Sequence, residues 1–213
     1  MAYIPLNLGR LDSSVAAAIS MATEQHLEQA HYLLAATYAR DLPHQHFGRS
    51  AVTMTLLAIA AASAIRRFDS RKNKNSAGDR KSFICCVRSY LPWSDVTIVD
   101  AKHRNEDAKL DAAAMQLYEV FRNPLVHSGG ITGKAHVRAE FCHTFPGRET
   151  FEENESAIVE LCHVTSLRST LIEMPAESSR LYTRPLYWCA RRMIEAFAAD
   201  PAVQNDIRTN IGC

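Results

Sequence analysis

The stretch 118-YEVFRNPLVHSGG-130 decides how this chain is read. It closes a run of good helix formers, meets Pro124, and sets Arg122 and His127 five positions apart. On an uninterrupted α-helix such positions lie about 140° apart around the axis, so the two side chains would not share a face. Pro124 disfavours α geometry at Asn123 and has no backbone N–H to donate. The helix is therefore expected to kink or end at this point. His127 can then swing back toward the Arg122 guanidinium, and Gly129-Gly130 lets the chain leave at unusual dihedrals.

Upstream, Asn105 is placed to open the helix that carries this stretch. Glu106 and Asp107 fall in its first turn, where the helix dipole favours acids. Leu110, Ala114, Leu117 and Phe121 form its apolar stripe. Residues 13–40 have helical spacing, with Ser13 or Ser14 as cap, and 40–50 is a connector punctuated by Pro43 and Gly48. A second helix is expected over 50–67, with alanine and threonine on several faces and hence a central place. The segment 66–81 holds seven basic residues (Arg66, Arg67, Arg71, Lys72, Lys74, Arg80 and Lys81) and two acidic ones. With almost no apolar content it reads as a surface loop. Ser82 would cap a short helix that stops before Pro92, and 93–104 is irregular or briefly extended.

After Gly130 the texture changes. Ala135, Val137, Ala139 and Phe141 alternate with polar residues, a strand signal. Thr150 and Glu153 have capping-box spacing. Residues 155–173 are helical by spacing, although a leading strand also fits. Thr183 would cap a last clear helix with Leu186, Cys189, Ile194 and Phe197 on its inner side. Asp200-Pro201 ends that helix, and 202–210 is a short turn. The expected fold is mostly α, an antiparallel helical bundle over 1–130, with a small β element after residue 130. Residues 131–213 would form a C-terminal extension of short strands and helices packed on the same domain.

The chain has 213 residues, 47% of them apolar, and a formal net charge of +1. That is enough to bury a core, and any nucleic-acid contact must come from a local patch. No basic start followed by an apolar core marks a secretory signal. The most apolar window, 51–65, is short of the ~20 residues a bilayer span needs. No membrane association is expected, and the cytoplasm is the expected location. The cysteines lie mostly in apolar runs and read as buried free thiols. Cys142-His143 and Cys162-His163 lack zinc-ligand spacing, so neither a metal nor another cofactor is expected.

Arginine next to histidine is the equipment for cutting RNA without a metal. The RNA 2′-hydroxyl can serve as the nucleophile. Histidine exchanges protons near neutral pH. Arginine offers a fixed, planar cation for the charge that develops on phosphate. Asn123 could orient a phosphate oxygen or the imidazole.

Arg122-Asn123-Pro124-Leu125-Val126-His127 resembles the R-N-x-x-x-H form of the Arg-x(4–6)-His motif of the HEPN superfamily (higher eukaryotes and prokaryotes nucleotide-binding domains). The helical pattern before it, the apolar residue ahead of the arginine and the HSGG that follows fit as well. The motif is six residues long, and the helical pattern covers roughly 10–130. The region 131–213 is outside what the resemblance explains. The resemblance implies an all-α bundle that dimerises and joins two motifs into one metal-independent endoribonuclease site, leaving a 2′,3′-cyclic phosphate. It implies catalytic roles for Arg122, Asn123 and His127. It also implies a setting in toxin–antitoxin pairs, phage defence or RNA processing. Family members often add an acidic or polar residue from a preceding helix. No motif matches one here, and Glu119, one turn before Arg122, is the nearest candidate for that support.

Other readings fit the same residues. A non-catalytic module of this type would hold RNA, a nucleotide or a partner nucleotidyltransferase. In a purely structural protein Arg122 would neutralise a helix C-terminus, which cations favour, and His127 would cap it. The 66–81 basic segment either grips RNA phosphates or is a solvated loop. His26, His31, His44 and His46 have no acidic or arginine partner at a useful spacing. Trp93 and Trp188 read as packing residues.

Overall fold

Alanine sets the spacing of the central helices. In the computed structural model, which describes residues 3–39, 44–65, 77–128, 135–138, 169–175 and 178–211, helix α1 (Ser13–Ala39) packs along α2 (His44–Ile65). Ala51, Ala58 and Ala62 of α2 are fully buried, as are Ala30 and Leu27 of α1. Side chains this small let two helices approach closely and leave α2 in contact with several further elements. The cap of α1 is Asp12, not Ser13 or Ser14: its Oδ1 accepts from the Ser14 N–H at 2.9 Å. The hydroxyl of Ser14 spends its bond on the same carboxylate. Helix α2 starts six residues earlier than its spacing predicted.

Helix α3 (Ala77–Tyr90) also starts early. Ser82, the expected cap, is buried inside it, and Arg80 and Lys81 stand on its first turns rather than in a loop. A 3₁₀ turn (Trp93–Asp95) leads into strand β1 (Val96–Asp100). Asn105 then caps α4 (Glu106–Gln116) as predicted, its side chain accepting from the Asp107 N–H at 2.8 Å. Arg88 of α3 holds α4 through Asp107 and Asp111, at 2.7 and 2.8 Å.

Of the kink or end expected at Pro124, the end does not occur. A π-helical segment, Leu117–Arg122, follows α4 directly, and α5 (Asn123–Ser128) continues through the proline. The Asn123 N–H reaches back five residues to the Tyr118 carbonyl. An α-helix would leave a carbonyl without the donor that proline lacks. Widening the preceding turn absorbs that defect without ending the helix. The buried Leu117, Tyr118, Phe121 and Leu125 anchor the widened turn in the core.

The described part of the chain beyond residue 130 completes a four-stranded sheet with β1. Its strands are β2 (Ala135–Arg138), β3 (Ser169–Met174) and β4 (Ser179–Tyr182), in the order β1-β3-β4-β2. β1 runs parallel to β3, β3 antiparallel to β4, and β2 parallel to β4. The helix expected over 155–173 is therefore strand from Ser169 onward. Leu171 and Ile172 are consecutive and both fully buried, as expected of a strand covered on two faces. One of the four strands, β1, precedes residue 130. Of the alternation expected from Ala135 to Phe141, only Ala135–Arg138 is described, as β2, and the Thr150/Glu153 spacing lies outside the described residues.

Helix α6 (Thr183–Ala199) packs on α2, α1 and α3, with Leu186, Cys189, Ile194 and Phe197 fully buried as predicted. Thr183 does not cap it: the cap position is Tyr182, which makes no side-chain cap bond. The last turn expected at 202–210 is a helix, α7 (Pro201–Ile211), opened by Asp200, whose Oδ1 accepts from the Ala202 N–H at 2.8 Å. One hydrophobic cluster runs from Leu6 to Ile207. The core is continuous across residue 130. No described helix is long and apolar enough to cross a membrane.

Candidate functional site

The motif residues approach one another although the helix runs on through Pro124. Arg122 ends the π segment and His127 lies near the end of α5. Arg122 Nη1 comes to 3.5 Å from His127 Nε2. That distance is a loose contact rather than a strong hydrogen bond. The same nitrogen donates to Asn123 Oδ1 at 2.9 Å. If Nη1 also donates to the imidazole, Nε2 is the accepting nitrogen and the ring proton sits on Nδ1.

Tyr118 supplies the floor. The Arg122 guanidinium carbon lies 5.2 Å from the centre of its ring, a cation–π distance. The ring is itself buried against Phe83 of α3, with centroids 5.3 Å apart. Arg122 Nε is buried and has no hydrogen-bond partner among the described residues. The guanidinium is thus held by packing at Nε and on its face, while Nη1, bonded to Asn123, also stands beside an exposed imidazole. Chemically, the arrangement can present one proton-exchanging group and one fixed cation to the same phosphate.

Glu119 is bonded to α3. It accepts from Arg80 Nε at 2.9 Å, and Arg80 Nη2 is bonded to the same oxygen. No hydrogen bond joins Glu119 to Arg122 or His127 among the described residues. Of the seven basic residues from 66 to 81, Arg66, Arg67, Arg71, Lys72 and Lys74 lie outside the described residues. Lys81 is exposed on α3. The Cys142-His143 and Cys162-His163 pairs also lie outside them, and among the described residues no three His, Cys, Asp or Glu side chains gather as metal ligands. Cys86 and Cys189 are buried free thiols and Cys85 is a half-buried one. Burial pushes the Cys189 thiol well above its usual range.

Two polar constellations were not anticipated from the sequence. Arg191 of α6 is buried among Tyr3, Tyr187 and the N-terminal segment. It donates to the Pro5 carbonyl at 3.1 Å and to the Tyr187 hydroxyl at 3.4 Å. His31 Nδ1 lies 3.5 Å from that hydroxyl. A signal was present: Arg191 falls four residues after Tyr187, on the apolar stripe of α6. The second is Asp100 at the end of β1, whose carboxylate is 1% exposed and 2.7 Å from His103 Nδ1. Burial raises the Asp100 pKa, but the Lys102 and His103 N–H groups and the His103 ring outweigh this and hold it below the ordinary carboxylate value. An Asp three residues before a His at a strand end was the only cue. Both constellations fasten turns and segments rather than frame an opening.

No protein-family model matches the chain, and no curated protein and no solved structure matches it.

Proposed function

We propose that the protein is an endoribonuclease that cuts RNA by attack of its own 2′-hydroxyl, without a metal, as a homodimer with the bundle organisation of HEPN domains. The observation that carries this reading is the 3.5 Å approach of Arg122 Nη1 to His127 Nε2 at an exposed helix end, with Asn123 bonded to the same guanidinium. In the first half of the step His127 takes the 2′-hydroxyl proton and the 2′-oxygen bonds to phosphorus. The P–O5′ bond then breaks, and the 5′-oxygen leaves with a proton delivered by an imidazolium. In a dimer the second motif supplies that imidazolium. The products are a 2′,3′-cyclic phosphate and a 5′-hydroxyl. Arg122 balances the negative charge of the pentacoordinate phosphorus, a role worth on the order of 10²–10³ in rate for a single well-placed donor. A cytoplasmic toxin restrained by an antitoxin, or a phage-defence nuclease, fits this chemistry.

One observation favours a second reading. Arg122 already spends one donor on Asn123 and has Nε buried. The remaining half of its fork suits a module that holds RNA or a nucleotide without cutting it. Incubating the purified protein with RNA in EDTA separates the two. Cleavage that survives chelation and disappears in both His127→Ala and Arg122→Ala supports the nuclease. Binding without cleavage supports the module. If the site is shared between subunits, mixing the two variants changes activity beyond the average of the separate proteins.

A further inference from the structure

We infer that Arg80, on the first turns of α3 and bonded to Glu119 of the segment that carries Arg122, is a second contact for the phosphate backbone, and that Glu119 holds it in reserve until a nucleic-acid strand replaces the carboxylate. The inference rests on the reading of the Arg122/His127 end as a site for RNA, and it names a residue 42 positions away in sequence as part of the same strand path.

Three observations carry it. Arg80 and Phe83 are three residues apart on α3 and so share a face. Both reach the π segment: Arg80 bonds Glu119, and Phe83 packs on Tyr118. Tyr118 in turn lies under the Arg122 guanidinium. The first turns of α3 are therefore fixed against the same short segment that positions Arg122. Glu119, the partner of Arg80, stands three residues before Arg122 on that same short segment.

Exposure decides whether Arg80 can be released. Its side chain is 46% exposed and that of Glu119 is 44% exposed. Ion pairs so open to water add little to stability. Exchanging the carboxylate for a phosphate therefore costs the fold little. Phosphate offers oxygens that can accept from the same two nitrogens, Nε and Nη2, that now share one Glu119 oxygen. The buried Arg191 has no such freedom. A strand long enough to reach both arginines gains a contact that a dinucleotide at Arg122 alone does not.

The test uses a fluorescein-labelled oligodeoxynucleotide of about a dozen nucleotides, within the site sizes of single-strand binders. It has no 2′-hydroxyl and is not cut, so binding is read apart from cleavage. Because truncating Arg80 alone would leave Glu119 as a bare negative charge, the comparison is made in a Glu119→Gln background. Glu119→Gln is expected to bind the strand roughly twofold tighter than the wild type by anisotropy. Adding Arg80→Ala is expected to weaken binding about fivefold at 0.1 M salt and to lower the salt slope by about 0.7, the loss of one phosphate contact. Arg80→Gln in the same background repeats the measurement with the side-chain stem kept. If either double variant binds as Glu119→Gln does, with the same slope, Arg80 is a structural partner only and the inference fails. A wild type that cuts RNA but does not hold the strand also overturns it while leaving the nuclease reading intact. A wild type that holds the strand through Arg80 but cuts no RNA sustains it and removes the nuclease reading.

Discussion

Two arginines stand on tyrosine rings in this molecule, at nearly the same distance, with opposite consequences. Arg122 lies 5.2 Å from the Tyr118 ring centre and Arg191 lies 5.3 Å from that of Tyr3. Each has a histidine close by: His127 beside Arg122, and His31 across the Tyr187 hydroxyl from Arg191. Arg191 is 5% exposed and binds a backbone carbonyl of the N-terminal segment. No carboxylate lies within ion-pair reach of it among the described residues. Its charge is spread over two aromatic faces and two oxygens, so it works as a fastener between α6 and the start of the chain. Arg122 is only half-buried and its histidine faces water. The same residue types make a clamp where they are enclosed and a candidate reaction site where one end remains open.

Truncating each arginine gives the sharpest contrast. Arg122→Ala should lower RNA cleavage on the order of 10²–10³-fold, yet change stability by about 1 kcal/mol or less, the usual worth of a cation–π contact near a surface. A fluorogenic RNA assay in EDTA and a urea titration read the two effects. Arg191→Ala should behave in reverse. It removes the donor to the Pro5 carbonyl and one donor to the buried Tyr187 hydroxyl, empties the place of a buried side chain, and should cost about 2–3 kcal/mol, seen as a lower urea midpoint, while cleavage per folded molecule stays unchanged. Equal stability losses in the two variants would erase the distinction between clamp and site.

A smaller effect is expected at Pro124. Pro124→Ala restores the missing N–H and lets the widened turn relax toward α geometry. The Arg122–His127 spacing should then shift and cleavage fall on the order of tenfold, without loss of thermal stability. Unchanged cleavage would mean that the π segment is incidental to the site.

The mildest test is alkaline pH on the Arg191 side. Burial pushes the Tyr3 hydroxyl up to about 12 from its ordinary 10.0, although the Arg191 charge pulls the other way; Glu24 adds to the rise. A raised folded-state pKa contributes stability that is whole below the unfolded value and fades as pH climbs through the folded one. Stability should therefore decline between pH 10.0 and about 12, and Tyr3→Phe should flatten that decline. A slope in Tyr3→Phe identical to that of the wild type would remove Tyr3 as its source.

Much of the helical framework could be read directly from the chain. The 3.6-residue spacing of α1, the Asn105 cap with acids in the next turn, and the inner face of α6 all follow from local rules of capping and burial. The motif residues Arg122, Asn123 and His127 were legible for the same reason, being close together in sequence. The boundaries of α2 and α3 were less so, because polar residues flanking an apolar run can join the helix once its inner face is packed.

Proximity along the chain was enough to name the pair, but not to say how it is held. Local rules placed a kink or an end at Pro124. Packing of Leu117, Tyr118, Phe121 and Leu125 into the core kept the helix going and moved the defect into a widened turn. Strand β3 likewise depends on pairing with β1, some seventy residues earlier, and the Arg80–Glu119 and Arg191–Pro5 contacts join residues 39 and 186 apart. Periodicity encodes which face of an element is apolar. Which partner that face or charge meets is settled only when distant segments compete for the same core.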